Sequence, residues 1–368
     1  MEETGVFVFI GTYTDPVLFG TGKVMHGKGE GIYVFSLDAS SGAMRPACKI
    51  TGVTNPSYLA FDRSRRFLYA VNELKTYEGR PSGTASAFAV ERGTGRLRFL
   101  NKQLTHGTDP CHVLVDDKGQ YVFVANFMSG SVCVLPVRRD GSLGEACGFI
   151  QHEGSSVDPA RQGGPHAHSV TLDEANRFAF VPDLGLDRLM VYRFDSARGA
   201  LEPNAIPWVK TKAGAGPRHM AFQPGGAFAY LVNELESTVQ ALAYDRERGT
   251  FQDLGTVPAL PPDYLGSSTC ADIHVSPSGQ HVYVSNRGHD SIAIYSIDYR
   301  TGTLSCVGHE PTRGRTPRGF GIDPSGRFLL VANQDSNTVV VFRIDPDSGQ
   351  LAAIGQIEVP TPACVKFL

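Results

Sequence analysis

The sequence lacks the charge pattern of proteins that bind nucleic acids or membrane surfaces. Its 34 lysines and arginines are balanced by 37 aspartates and glutamates, and no run of basic residues stands out. A binding surface for polyanions or anionic lipids usually needs such a basic patch. We therefore expect a small-molecule or protein partner, with no nucleic acid and no membrane.

Long hydrophobic runs and paired cysteines are missing as well. The amino-terminal apolar run VFVFI has no cationic segment before it and is too short for a signal peptide or a membrane span, which predicts a cytoplasmic protein. The seven cysteines are scattered and form no C-x-x-C pair, which argues against a disulfide framework and a zinc site. We expect most cysteines to be small buried side chains, and we expect no metal and no cofactor.

Six segments of the chain repeat one pattern. Each alternates apolar and other residues, breaks at a turn such as DPSG, and resumes in a run rich in aromatic and β-branched residues. This pattern indicates two antiparallel strands joined by a short turn. The segments begin at Asn55, Asp109, Ala167, Gly216, Thr269 and Thr316. A glycine two residues before an apolar residue also recurs seven times, at a mean spacing of about 51 residues.

Four strands at this spacing are typical of a β-propeller blade. The carboxyl-terminal segment TPACVKFL has the pattern of a first strand without its second, and the amino-terminal GVFVFIGTYT that of a second strand without its first. We therefore predict one all-β domain over residues 1–368. It is a seven-bladed β-propeller with four antiparallel strands per blade, the last blade being closed by the N- and C-terminal strands, which leaves no open sheet edge.

The start of each inner strand and the end of the second strand should meet at one mouth of the central channel, because the two strands are antiparallel. Asparagine recurs at the second-strand ends and more often caps turns than binds ligands. Side chains that depart from the repeat are better candidates for ligand contact. The candidates at this mouth are Glu73, Asn126, His166, His168, Asp183, Arg218, His219, Glu234, Arg287 and Arg318.

The chemistry of these side chains predicts an anionic ligand. Guanidinium groups present a rigid fork that suits phosphate or carboxylate. A carboxylate beside a histidine can act as general acid or base, and a neighbouring arginine would keep Glu234 ionised. The sequence shows no motif for a nucleophilic serine, a zinc protease, a nucleotide loop or a dinucleotide fold. His166 and His168 could place two imidazoles on one side of a strand, but no third metal ligand is evident.

The segments FIGTYT, NPSYLAFD, GPHAH, GPRHMAFQPGG and YLVNELESTV resemble the seven-bladed lactonase propellers. That family includes a bacterial type of 6-phosphogluconolactonase and the fungal carboxy-cis,cis-muconate cyclase, and the resemblance covers essentially the whole chain. It implies a metal-independent site built from Arg218, Glu234, Arg287 and one histidine of GPHAH, either His166 or His168.

The resemblance also implies a reaction: hydrolysis of 6-phospho-D-glucono-1,5-lactone to 6-phosphogluconate in the pentose phosphate pathway. Glu234, alone or with a histidine, would activate water. Arg218 and Arg287 would bind the phosphate or stabilise the oxyanion, and Arg318 is a further candidate for this role. The partner would then be a small anionic sugar lactone.

Two other functions stay open. A lactonase or cycloisomerase acting on a carboxylated muconate-type or other sugar-acid lactone would use the same arginines to hold carboxylates. A non-catalytic scaffold would instead carry apolar and aromatic residues at the mouth and tolerate substitution of Glu234. Two glycine-rich insertions, residues 14–30 and 74–84, follow second strands and therefore lie on the same face. We expect them to form a lid over the mouth; the alternative is that they are flexible decoration.

Overall fold

A ring of seven antiparallel four-stranded sheets makes up the protein. The structure is a computed structural model, and it describes residues 6–368. Within this part of the chain the only helical element is a 3-10 turn at Gln334–Ser336. No helix of the described residues is long and apolar enough to cross a membrane. The prediction of an all-β, seven-bladed propeller is confirmed.

We number the blades in chain order and give their strands from the channel outward. Blade 1 consists of Pro362–Phe367, Val6–Thr12, Gly31–Leu37 and Met44–Thr51; blade 2 of Leu59–Phe61, Phe67–Asn72, Thr84–Glu91 and Arg96–Leu104; blade 3 of Pro110–Val115, Tyr121–Asn126, Ser131–Pro136 and Gly148–Gln151; blade 4 of Thr171–Leu172, Phe178–Asp183, Arg188–Asp195 and Ala200–Lys210. Blade 5 consists of Pro217–Phe222, Phe228–Asn233, Thr238–Asp245 and Thr250–Pro258; blade 6 of Thr269–Val275, His281–Arg287, Ser291–Ile297 and Leu304–Pro311; blade 7 of Pro317–Ile322, Phe328–Asn333, Thr338–Ile344 and Leu351–Glu358.

Blade 1 closes the ring by pairing the two ends of the chain. Its inner strand comes from the carboxyl terminus and lies antiparallel to the amino-terminal strand, with Val8 opposite Phe367 and Ile10 opposite Val365. All four side chains are buried and pack against blade 7. The predicted closure is therefore confirmed, and the inner strand begins at Pro362, one residue before the expected Ala363.

The seven recurring glycines are needed because neighbouring blades pack closely. Each lies in the turn between the third and fourth strands of its blade and has a positive φ, which is 72° at Gly302. A Cβ at Gly302 would lie 2.2 Å from the ring of Phe228 in the preceding blade. A larger residue would meet both a strained backbone and an occupied space.

The recurring asparagines at the second-strand ends are structural. Four of them donate from Nδ2 to the carbonyl oxygen of a preceding loop: Asn72 to Thr54, Asn126 to Thr105, Asn286 to Ala259 and Asn333 to Thr312. These bonds satisfy loop carbonyls beside the channel mouth and fix the point at which each second strand ends. The residue that follows each asparagine is thereby held at the mouth.

The cysteines only partly match expectation. Cys111, Cys133, Cys270 and Cys364 are buried. Cys48 is partly buried, whereas Cys147 and Cys306 are exposed, and all seven are free thiols. The expectation that most of them are small buried side chains therefore holds for four of the seven.

Candidate active site

A cavity of about 540 Å³ lies at the channel mouth where the sequence places its candidates. Charged and polar side chains from six blades and one loop form its floor and walls. They are Glu73, Asp109, Cys111, Arg161, His168, Glu234, Arg287 and Arg318. Concave sites with a few convergent polar groups are the usual form of a small-molecule site.

The segment 14–30 roofs this cavity, as expected of a lid. It contains a short hairpin in which Val17–Leu18 pairs with Val24–Met25. At the hairpin tip the Phe19 ring lies 4.8 Å from the Arg318 guanidinium, and a Cβ at Gly20 would lie 2.9 Å from the Phe127 ring. Residues 74–84, the other predicted lid segment, contribute nothing to the cavity lining.

Glu234 stands at the centre of a cluster of three arginines. Arg161 Nη2 donates a hydrogen bond of 2.7 Å to Oε1. Arg218 Nε and Arg287 Nη2 each lie 2.9 Å from Oε2 and form ion pairs with it. All four side chains are buried or nearly so. The cluster therefore holds a net positive charge in a region of low dielectric constant.

The arginines govern the ionisation of Glu234. Burial alone would raise the pKa of this carboxyl, but Arg287, Arg218 and Arg161 together hold it well below its usual value. Glu234 is therefore ionised near neutral pH, as the sequence predicts. The same stabilisation of the charged form makes it a weak proton acceptor.

β-bulges at the start of the inner strands aim several of the site residues. In blade 5, Pro217 pairs with Asn233 and His219 pairs with Val232, so that Arg218 has no partner on the second strand. The same irregularity occurs at Cys111 in blade 3 and at Arg318 in blade 7. A bulge re-aims a side chain relative to a regular strand.

Arg318 differs from the arginines around Glu234 because no carboxylate in the described part of the chain pairs with it. Its guanidinium lies 5.2 Å from the Tyr13 ring centroid and 4.8 Å from that of Phe19. Within residues 6–368 it takes part in no hydrogen bond or ion pair, and it lines the cavity. Its donors are therefore directed at cavity space and available to an anion.

Glu73 lies on the opposite side of the mouth from Arg287, at the end of the second strand of blade 2. Its Oε2 accepts hydrogen bonds from Ser57 Oγ at 2.5 Å and Tyr13 Oη at 2.9 Å. The carboxylate is buried and borders the cavity. Two hydroxyl donors thus fix its orientation.

The structure distinguishes the two histidines of GPHAH. His168 borders the cavity, and its Nδ1 lies 3.6 Å from Cys111 Sγ. Burial, followed by Arg218 and His219, holds the pKa of His168 well below its usual value, so the imidazole is neutral near pH 7. His166 does not border the cavity: it stacks on Phe127 at 4.6 Å, and its Nδ1 lies 3.0 Å from the Phe127 carbonyl oxygen.

His219 lies below the cavity, inside the channel. Its Nδ1 is 2.9 Å from Asp272 Oδ1, and its Nε2 is 3.3 Å from Arg218 Nη1. Since arginine can only donate, Nε2 accepts and Nδ1 carries the proton that Asp272 receives in the hydrogen bond. Burial, followed by Arg218, lowers the pKa of His219 to about 4. The residue therefore supports Arg218 and does not reach the cavity.

Two predicted substrate contacts, Asn126 and Asp183, lie outside the cavity walls. Asn126 is fully buried and bonds Thr105 and Ser131 within its own blade. Asp183 Oδ2 bonds His152 Nδ1 at 2.6 Å, while its Oδ1 accepts from backbone amides of the loop around it. The amide nitrogen of Asn126 and the carboxylate of Asp183 hold loops, and neither residue lines the cavity, which corrects the expectation that they face a ligand.

Arg161 and Asp109 line the cavity but are not among the candidates that the sequence predicts. Arg161 lies in the loop between blades 3 and 4, where the repeat offers no register. The loop is anchored by Gln162, whose Nε2 donates to the Leu184 carbonyl oxygen at 2.8 Å. Asp109 directly precedes the inner strand of blade 3, and the repeat predicts only the start of a hairpin there. The sequence signal that could identify Asp109 is an acidic residue directly before Pro110, at the start of an inner strand that opens onto the mouth.

Comparison with known proteins agrees with this architecture. Residues 7–367 match the family described as "Lactonase, 7-bladed beta-propeller". The chain is 36% identical to the 6-phosphogluconolactonase of Bacillus subtilis over 85% of this chain and 83% of that protein. It is 34% identical to the 6-phosphogluconolactonase of Formosa agariphila, over 86% of each chain.

A solved structure shows the same fold. The periplasmic gluconolactonase of Pseudomonas aeruginosa superposes with a TM-score of 0.89 and 35% sequence identity, over 99% of each chain. Two of these relatives are therefore named for a phosphorylated sugar lactone, and the third for a gluconolactone without mention of phosphate.

Proposed function

The chain belongs to the lactonase family of seven-bladed β-propellers, and from that premise we propose that it hydrolyses 6-phospho-D-glucono-1,5-lactone to 6-phosphogluconate. The observation that carries the proposal is the distribution of arginines at the cavity. Arg318 is free to bind an anion, whereas Arg161 and Arg287 at the cavity wall and the buried Arg218 surround a single carboxylate. A small anionic ester is the ligand that such a set of charges suits.

We assign the substrate phosphate to Arg318. Among residues 6–368 it is the cavity arginine that forms no ion pair with a carboxylate, and the rings of Tyr13 and Phe19 restrict its motion. A guanidinium held in this way loses little conformational freedom when it binds a phosphate bidentately. The lysines of the roof, Lys23 and Lys28, also border the cavity and add positive charge at its entrance.

We assign stabilisation of the reaction's negative charge to the cluster around Glu234. In lactone hydrolysis, water attacks the C1 carbonyl carbon, and the carbonyl oxygen becomes an oxyanion. Guanidinium groups already held by Glu234 need no reorganisation to stabilise that charge. The low proton affinity of Glu234 favours this organising role over the proton-accepting role expected from the sequence.

The test is the rate of hydrolysis of freshly prepared 6-phosphogluconolactone, measured against its spontaneous hydrolysis. We expect clear acceleration by the wild-type protein. Glu234→Gln should lose at least about 100-fold of it, because the arginines lose the charge that positions them. Glu236→Gln is the matched control. Glu236 lies two residues after Glu234 in the chain and is paired with Lys212, so this substitution removes the same charge away from the arginine cluster. A folded wild-type protein without acceleration would overturn the assignment.

A second candidate substrate is a sugar-acid lactone that lacks the phosphate. The gluconolactonase name of the Pseudomonas relative favours it. Glucono-1,5-lactone, assayed beside the phosphorylated lactone, separates the two. A carboxylated muconate-type lactone would use the same arginines and belongs in the same panel. The charged cavity argues against the non-catalytic scaffold, for which apolar residues at the mouth were expected.

The place of this reaction in metabolism follows from the substrate. If the phosphorylated lactone is the better substrate, we propose that the enzyme serves the pentose phosphate pathway. A cytoplasmic location stays a prediction from the sequence, and the Pseudomonas relative is described as periplasmic.

A further inference from the structure

Asp109 occupies a position that recurs around the ring. It directly precedes the inner strand of blade 3 and has a φ of 52°. The matching residues Asn55, Gly216, Thr316 and Thr361 also have positive φ values, and each is followed by proline. A left-handed residue therefore turns the chain into the inner strand in five of the blades.

At the matching positions the side chains hold neighbouring segments. Asn55 Oδ1 accepts a hydrogen bond of 2.8 Å from the Thr14 amide. Thr361 Oγ1 donates to the Tyr13 carbonyl oxygen at 2.7 Å, and Thr316 Oγ1 donates to Asp335 Oδ2 at 2.7 Å. At these positions the polar side chain has a structural partner.

The Asp109 carboxyl is different. The residue is 3% exposed, and no donor among residues 6–368 reaches its fully buried Oδ2. Burying a carboxyl without a hydrogen-bonding partner is unfavourable, so structural need alone does not explain an acidic residue here. Asp109 also lines the cavity, on the side facing Arg287 across the ring.

We propose that Asp109 is the residue that exchanges a proton with water and with the leaving oxygen during lactone hydrolysis. The inference rests on the proposed function. The cavity then has two parts. Arg318 and the arginines around Glu234 bind the negative charges of the phosphate and the oxyanion, and Asp109 on the blade 3 side exchanges the proton.

The ionisation of Asp109 suits this role. Burial, and then the nearby Glu73, raises the pKa of Asp109 to about 7, with Lys75 acting in the opposite direction. General acid–base catalysis is most efficient when the pKa of the catalytic group lies near the working pH. The other candidates are less suited, because Glu234 is a weak acceptor and His168 has a strongly lowered pKa.

Asp109 takes up a proton in the first half of the proposed reaction and returns it in the second. The Asp109 carboxylate takes one proton from the attacking water while the water oxygen bonds to C1. The tetrahedral oxyanion then collapses, the bond between C1 and the ring oxygen breaks, and the protonated Asp109 gives its proton to that oxygen. The new carboxylic acid releases a proton to solvent, and Asp109 is again ionised.

Asp109→Asn tests the inference, because asparagine keeps the shape and tolerates the left-handed backbone but cannot exchange a proton. We expect kcat to fall about 100-fold or more. The rise of wild-type kcat/KM with pH through about 7 should be absent in the variant. Asp117→Asn, an exposed carboxyl at the other end of the same strand, is the control for loss of one charge and should behave as wild type.

A stability measurement gives a readout independent of activity. Because the pKa of Asp109 is raised to about 7 in the folded chain, the folded state keeps a proton that the unfolded chain releases at lower pH. This group therefore lowers wild-type stability progressively as pH rises from about 4 to 7. The Tm difference between Asp109→Asn and wild type should grow in favour of the variant from pH 5 to pH 8.

The outcomes separate the two proposals. An active wild type together with an Asp109→Asn variant of equal kcat and unchanged pH profile overturns the role of Asp109 and leaves lactone hydrolysis standing. A Tm difference that does not change with pH overturns the raised proton affinity on which the role depends. A folded wild type that accelerates no lactone in the panel overturns the proposed function and the catalytic role together.

Discussion

Arg161 and Glu234 are joined by a hydrogen bond of 2.7 Å although 73 residues separate them in the chain. Arg161 comes from the loop between blades 3 and 4, whereas Glu234 follows the second strand of blade 5. The bond therefore ties a loop to the ring at the edge of the cavity. It also completes the set of three guanidiniums around one buried carboxylate.

Arg161→Ala should lower kcat/KM for lactone hydrolysis by about 10- to 100-fold, since a hydrogen bond between charged groups contributes about 1.5–3 kcal/mol. Steady-state kinetics of the purified variant would measure this. Arg198→Ala removes an arginine that is paired with Asp195 on the exposed surface, and it should leave the rate unchanged. Equal rates for Arg161→Ala and wild type would show that the loop bond has no part in the reaction.

The repeat accounts for what the sequence could predict of this site. A fixed spacing between the two strands of a hairpin brings Arg218 and Glu234 to one edge, and ring closure then adds Arg287. Arg161 could not be found this way, because it lies in a loop whose path depends on contacts such as that of Gln162 with Leu184.

Asn126 and Asp183 show a different limit of the sequence. They stand at the same strand end as the true cavity residues, and only the buried groups around them decide that they hold loops: Asn126 donates to the Thr105 carbonyl oxygen, and Asp183 accepts from the His166 amide. Position in the repeat thus predicts proximity to the mouth. It does not predict whether a polar side chain faces the cavity or the backbone.

The packing between blades predicts a large cost for Gly302→Ala. The backbone there has a φ of 72°, and the new Cβ would lie 2.2 Å from the Phe228 ring. We expect the free energy of unfolding to fall by at least about 2 kcal/mol, because strain and overpacking add. Gly308→Ala is the matched control: it lies in the same blade, and nothing lies within 4 Å of its Cβ. Denaturant unfolding of both variants would check this, and equal midpoints would contradict it.

His168 and His166 should respond differently to substitution by asparagine. His168 borders the cavity beside Cys111, so His168→Asn should reduce kcat at least about tenfold. His166 packs behind Phe127, so His166→Asn should act mainly by lowering Tm. The comparison needs kcat and Tm for both proteins. A larger loss of kcat in His166→Asn would reverse the assignment of the two histidines.

Substitution of Arg318 should affect a phosphorylated substrate more than an unphosphorylated one. Its guanidinium has no carboxylate partner in the described chain and packs against the rings of Tyr13 and Phe19, so its removal should disturb the fold little. Arg318→Gln should raise KM for 6-phosphogluconolactone at least about tenfold, since a charge-assisted contact with phosphate is lost. KM for glucono-1,5-lactone should change less than about threefold, because that substrate has no phosphate for Arg318 to bind.

If both KM values rise equally, Arg318 contacts a group that the two lactones share, and the phosphate must be bound by the arginines around Glu234. If neither KM value changes, the phosphate is bound by Lys23 and Lys28 of the roof and not by Arg318.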